Sequence, residues 1–181
     1  MKTLTTFLLF CLLTTQSFAQ KGNNQLQVSG HVGFPVFDMA DGAKTGYGGA
    51  VRGFFGVGDR PQQISLTIGY SRFPVKDLPA GAEANLSTLP VFLGYRYLWG
   101  GFFVETHAGV GFNNVHVKAS NGNSTDLSKT SFSWALRTGY QISNVELSVA
   151  YQNTGLDDAN EDISFIGLHL GYNFRLGGKS R

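Results

Sequence analysis

The stretch Phe165-Ile166-Gly167-Leu168-His169-Leu170-Gly171-Tyr172-Asn173-Phe174 decides how this chain is read. Its even positions are all large and apolar, whereas after Phe165 its odd positions carry Gly, His, Gly and Asn. Successive side chains of a strand point to opposite faces, so this segment has one greasy face and one small or polar face. Roughly ten residues is also the length with which a tilted strand crosses a bilayer.

The same alternation recurs along the chain. Read at period two, strands are expected near Gln25–Phe34, Thr45–Val57, Gln62–Phe73, Leu86–Leu98, Phe102–Asn113, Lys129–Gln141, Val145–Asn153 and Ile163–Arg175. One parity collects Val28, Val32, Val51, Leu66, Ile68, Leu93, Val104, Leu136, Val149, Leu168 and Leu170 in the middle of the strands. Near the ends it collects Phe34, Tyr47, Tyr70, Tyr95, Tyr97, Phe102, Phe112, Phe132, Trp134, Tyr140, Tyr151, Tyr172 and Phe174. Aromatic rings at both ends of an aliphatic band match two interfacial girdles, because an amphipathic ring is best placed where hydrocarbon meets headgroups. A soluble sandwich would also alternate, but with the apolar face turned to a second sheet. The opposite parity here holds Gly, Ser, His, Arg and Glu, so the apolar face is read as touching lipid. The fold expected is all-β: an eight-stranded antiparallel up-and-down transmembrane β-barrel following an N-terminal signal peptide.

Residues 1–19 read as that signal peptide, with Lys2 as the positive start, Phe7 to Leu13 as the apolar run and Ser17-Phe18-Ala19 as a small-x-small cleavage site. Residues 20–181 then form one barrel domain of about 160 residues. Cys11 lies inside the apolar run, which leaves the mature chain no disulfide or thiolate chemistry. No later segment approaches the roughly 20 apolar residues of a spanning helix, so crossing falls to strands. The formal charge of +2 falls to about +1 without Lys2, and the Lys and Arg are scattered, which excludes a nucleic-acid partner. With 24 glycines and 13% aromatic residues, the composition is not that of a disordered chain.

Connections alternate in length. Gly58-Asp59-Arg60-Pro61, Trp99-Gly100-Gly101 and Ile142-Ser143-Asn144 are short, whereas Pro35–Lys44, Pro74–Asn85, Asn114–Ser128 and Thr154–Asp162 are long and polar. Short turns on the periplasmic side and long loops outside are the expected arrangement. Gly100-Gly101 suits a two-residue turn with positive φ at both centres.

With these features the chain resembles the small eight-stranded, porin-like outer-membrane β-barrel family of Gram-negative bacteria. The resemblance spans the mature chain. It implies residence in the outer membrane, contact with outer-membrane lipid and lipopolysaccharide, a monomer, and insertion by the barrel assembly machinery. The pattern His169-x-Gly171-x-x-Phe174-x-Leu176 looks like the signal such proteins present to that machinery. The chain continues through Gly177-Gly178-Lys179-Ser180-Arg181, where many relatives stop at the terminal aromatic.

The inward parity carries Arg52, Arg96, Glu105, Arg137 and Glu146. Four of these alternate in sign near the periplasmic ends of consecutive strands. A two-residue turn at Gly100-Gly101 would set Arg96 opposite Glu105, within reach of a charged contact. A gate or a buried ionic plug would both look like this; the plug is expected, because an eight-stranded barrel is just wide enough for side chains to fill it. His31, His107 and His169 also face inward, with His31 and His169 on the two strands that must close the barrel. Neither they nor the acidic run Asp157, Asp158, Glu161 and Asp162 match a metal-site spacing, so no metal or cofactor is expected.

Some small barrels modify lipid A, but hydrolysis needs a nucleophile, a base and an orienting group. Ser131 and Ser133 have no His beside them at strand spacing, and His116 and Ser120 read as loop residues. An enzyme is therefore not expected. The role expected is structural or surface-interacting, exerted through the outer loops above a filled polar lumen, with a narrow porin-like channel as the alternative. A lipocalin-like secreted carrier is the other alternative, but it would need an apolar lumen and a charged exterior, the reverse of the polarity here. The membrane reading predicts detergent-dependent solubility and a heat-modifiable shift on gels; a protein soluble in plain buffer would match the carrier instead.

Overall fold

A computed structural model describes residues 24–57, 61–120, 122–155 and 162–176. The signal-peptide segment, the turn residues 58–60, most of the acidic run and the tail after Leu176 lie outside the described residues. The strands are β1 (Gln25–Pro35), β2 (Gly46–Gly56), β3 (Gln62–Pro74), β4 (Glu83–Trp99), β5 (Phe102–Lys118), β6 (Ser124–Ile142), β7 (Val145–Thr154) and β8 (Ile163–Arg175), with a short helix α1 (Asp38–Gly42) between β1 and β2.

Each strand pairs antiparallel with its sequence neighbour, and β8 returns to β1 to close the barrel. The closing seam runs from Gln25↔Arg175 to Pro35↔Phe165. Closure follows from the solvent: hydrocarbon offers no partner to an unpaired N–H or C=O, so a spanning sheet cannot keep an edge. Parity behaves as the sequence requires. The alternating apolar residues Leu26, Val28, Val32 and Phe34 of β1 are exposed on the outer surface, while Gln25, Gln27, Ser29 and His31 are buried in the lumen. On β8 the same division separates Ile166, Leu168, Leu170, Tyr172 and Phe174 from Phe165, His169 and Asn173.

Tight turns lie at one end. Trp99 pairs with Phe102 across Gly100-Gly101, whose φ values of 59° and 91° are both in the left-handed region. Ile142 pairs with Val145 across Ser143-Asn144, where Ser143 takes φ 57°. Both are two-residue primed turns, matched to strand twist.

Three strands exceed the sequence expectation at the opposite end. β4 begins at Glu83 rather than Leu86, β5 runs on to Lys118, and β6 starts at Ser124 rather than Lys129. The expected loop Asn114–Ser128 is instead a ladder from Asn114↔Ser128 to Lys118↔Ser124. The reason is physical: beyond the lipid no apolar solvent selects alternate side chains, so the period-two signal fades while backbone pairing continues. The first long connection also holds α1, whose Met39, together with Ala43 just after the helix, joins Phe73, Ile163 and Phe165 in a buried apolar cluster at the outer mouth. Lys76 Nζ donates to Ala40 O at 2.6 Å, and Lys44 N to Pro74 O at 2.8 Å, tying this connection to the β3–β4 hairpin.

Pro90 lies within β4 and is buried. The β3–β4 ladder skips Pro90 and Leu89 but resumes in the same register, Ile68↔Val91 on one side and Ser71↔Thr88 on the other. Proline lacks the donor, so the interruption costs local bonding without shifting a face.

Inward glycines make room for neighbours. A Cβ at Gly109 would run into the Val91 carbonyl oxygen of β4, whereas at exposed Gly30 the nearest atom, Gly48 O, is 3.9 Å away. Gly109→Ala is expected to cost about 1–3 kcal/mol by forcing β4 and β5 apart, while Gly30→Ala leaves stability unchanged or slightly raised. Urea unfolding of detergent-refolded protein, followed by the heat-modifiable band, checks both.

Candidate functional site: the barrel lumen

The inward parity brings Arg52 from β2, Arg96 from β4, Glu105 from β5, Arg137 from β6 and Glu146 from β7 into one lumen, none more than 4% exposed. A side-chain network joins four of them. Arg96 Nη2 reaches Glu146 Oε2 at 2.5 Å, Arg137 pairs with Glu146 Oε1, and Arg137 Nη1 reaches Glu105 Oε2 at 3.2 Å. Glu105 and Arg137 are register partners on adjacent strands, so their contact is local. Arg96 and Glu105 are register partners as well, but the expected contact between them is not the one made: Arg96 crosses the lumen to β7. The cause is an aromatic slot, since the Arg96 guanidinium carbon lies 4.6 Å from the Phe54 ring centre and 3.7 Å from that of Phe103. Stacking on two ring faces aims the planar fork at Glu146.

Neutral groups complete the network. Ser65 donates to Glu105 Oε1 at 2.7 Å, and Arg137 Nε donates to Ser148 Oγ at 2.9 Å. Gln27 accepts from Arg52 at 2.7 Å and from Arg137 at 3.3 Å, and donates to Asn173 at 2.9 Å. Arg52 stands apart from the expected ionic cluster: its partners are Gln27 Oε1 and Ser29 Oγ, and it makes no ion pair among the described residues. Sequence reasoning found the charges but missed Phe54, Phe103, Gln27 and Asn173. Their signal was present, since each occupies an inward parity position.

The histidines lie toward the outer side of this network. His31 and His169 are register partners with ring centres 4.5 Å apart, and His31 Nε2 is 3.0 Å from Ser71 Oγ. His107 Nε2 is 3.0 Å from Glu105 Oε1. A cavity of about 30 Å³ lies among them, bordered also by Arg52, Arg137 and Gln152. Above it Phe73 and Phe165 pack with ring centres 4.9 Å apart and meet the α1 cluster. From the periplasmic side outward, the lumen thus runs from crossed ion pairs to a small polar cavity to an apolar cap.

The other candidates fall elsewhere. Ser133 Oγ is bonded to Thr154 Oγ1 at 2.7 Å, and Ser131 is also buried in the lumen. His116, expected in a loop, is on β5 and faces Asp126 on β6, with Nδ1 to Oδ1 at 2.7 Å on an exposed surface. His169, Gly171 and Phe174 are on β8, with Leu176 just beyond it, where Leu176 N donates to Asn24 O at 2.8 Å. Asp162 Oδ2 accepts from Asn153 at 3.0 Å; Asp157, Asp158 and Glu161 lie outside the described residues.

A family model described as outer membrane protein beta-barrel domain matches residues 5–174, an interval that contains all eight strands and begins inside the expected signal peptide. No curated protein matches the chain. Among solved structures, Ail, the attachment invasion locus protein of Yersinia pestis, in complex with the heparin analogue sucrose octasulfate, aligns at 15% identity with TM-score 0.63, covering 84% of this chain and 100% of that one. Neisserial surface protein A aligns at 16% identity with TM-score 0.54, over 86% of this chain and 98% of its own. The N-terminal β-barrel domain of OprF from Pseudomonas aeruginosa aligns at 19% identity with TM-score 0.53, over 85% of this chain and 100% of its own.

Glu146 is the carboxylate paired with Arg96 and one of two paired with Arg137, so its loss strands Arg96 and leaves Arg137 only Glu105. Glu146→Gln is expected to destabilise the barrel by about 3–5 kcal/mol, measured by urea unfolding in detergent micelles, while Ser148→Ala costs about 1 kcal/mol.

Proposed function

Since the chain belongs to the family of outer-membrane protein β-barrel domains and resides in the outer membrane, we propose that its lumen is a structural plug and that its work is done at the outer surface. The lumen carries this reading. Its ion pairs are fully buried, its cavity is only about 30 Å³, and its outer mouth is closed by Phe73, Phe165 and Met39. A solute path would have to break contacts between fully buried charges. A narrow channel therefore needs a large rearrangement, whereas a plug needs none.

The working surface is the β5–β6 hairpin. Beyond outward-facing Phe112, β5 continues six residues to Lys118, a rise of roughly 15 Å at the usual strand tilt. Val117 and Leu127 are exposed there, above the lipid-facing girdle. Exposed apolar side chains on a paired, rigid hairpin give a partner shape to recognise at small ordering cost. Arg72, outward and one parity step beyond Tyr70, stands near the lipid headgroups and fits contact with lipopolysaccharide phosphate. The chain acts as a monomer without enzymatic chemistry. It is delivered by cleavage after Ala19 and inserted by the barrel assembly machinery through His169, Gly171, Phe174 and Leu176.

Planar-bilayer recording of the refolded protein is expected to show no reproducible unit conductance. Arg96→Ala should lower the melting temperature; a variant that conducts without melting earlier would refute the plug. Replacing residues 115–127 by an Asn-Gly turn should leave the heat-modifiable barrel intact and abolish adhesion of cells displaying the protein. Equal adhesion by displaying and non-displaying cells would refute the surface role.

A further inference from the structure

Among the described residues the lumen holds three buried arginines and two buried glutamates, leaving one positive charge beyond balance. The excess is local to Arg52, the guanidinium that touches only neutral oxygens, those of Gln27 and Ser29. Its Nε has no protein acceptor. Arg52 and Arg137 both border the lumenal cavity, and no carboxylate does. The rest of the wall also carries unused polar atoms: both ring nitrogens of His169, Nδ1 of His31 and Nε2 of Gln152 are buried without a hydrogen-bond partner among the described residues. These side chains are each at least nine-tenths buried, at 6%, 9% and 9% exposed.

A neutral imidazole offers one N–H and one acceptor nitrogen, so the His31–His169 pair could face either an anion or a cation. The two guanidinium groups decide between them. They repel a cation and, with the Gln152 amide, present N–H groups to an anion. The volume of about 30 Å³ is that of one small ion or about two waters. An unbalanced buried charge is among the costliest features a core can hold, and a monovalent anion removes it.

We propose that this cavity binds a halide-sized monovalent anion, held by Arg52 and by N–H groups of His169, His31 and Gln152. The site is enclosed between the crossed ion pairs and the Phe73–Phe165 cap, so the anion is captured as the barrel closes and exchanges slowly afterwards. Its role is charge balance in the folded lumen.

The test is refolding from urea in detergent with sodium bromide or sodium gluconate at equal ionic strength, followed by melting and by crystallography of the bromide-refolded protein. The unmodified protein should melt several degrees higher in bromide and show an anomalous bromine peak beside Arg52. Arg52→Met balances two arginines against two glutamates, so it should refold with a melting temperature independent of the anion and without the peak. His169→Phe removes two of the unused ring nitrogens and keeps the charge, and should weaken the anion dependence if Arg52→Met fails to fold. A bromide-refolded, unmodified protein with no bromine peak in the lumen, water standing there instead, overturns the proposal.

Discussion

Every backbone N–H and C=O of the spanning strands has to be answered within the sheet, because hydrocarbon answers none. The seam between β1 and β8 meets that demand at the last open edge, from Gln25↔Arg175 to Pro35↔Phe165. Once the sheet is closed with eight strands, its lumen is just wide enough for side chains to fill. The inner face must then fill that space, and any charge placed there must be matched. The pairing of Arg96 on β4 with Glu146 on β7 across the lumen is a consequence of closure as much as of sequence.

Filling so narrow a space works by pairing large inward residues with inward glycines. A side chain at Gly171 would press on Gln27, and one at Gly94 would meet Ser65 and His107. These glycines let Gln27 and Ser65 reach the arginine and glutamate they serve. Buried ion pairs do not in themselves add much stability over apolar packing. What they do here is fill the periplasmic half of a lumen whose outer mouth is closed by apolar packing.

With the lumen filled, the proposed recognition falls to the segments that leave the membrane. The same sheet supplies them: β5 and β6 keep pairing past the outer girdle, so the protruding hairpin inherits the barrel's rigidity. The first connection is treated differently, folded down as α1 so that Met39 closes the mouth. One outer segment thus serves packing and another presents surface.

The alternation seen in residues 165–174, repeated in eight segments, determined the fold from sequence alone, because lipid on one face and lumen on the other impose opposite demands at a spacing of one residue. The same parity identified which charges turn inward, and Gly100-Gly101 identified the turn that sets Arg96 opposite Glu105. Partners across the lumen were another matter. Arg96 chooses Glu146 on β7 over its neighbour because Phe54 and Phe103 aim it, and Arg52 is left without a carboxylate. Such contacts join residues far apart in sequence whose proximity exists only after closure. The outer extension of β5 and β6 was hidden for a related reason: where lipid ends, pairing no longer writes itself into the pattern of apolar residues, and only the hydrogen-bonded ladder decides.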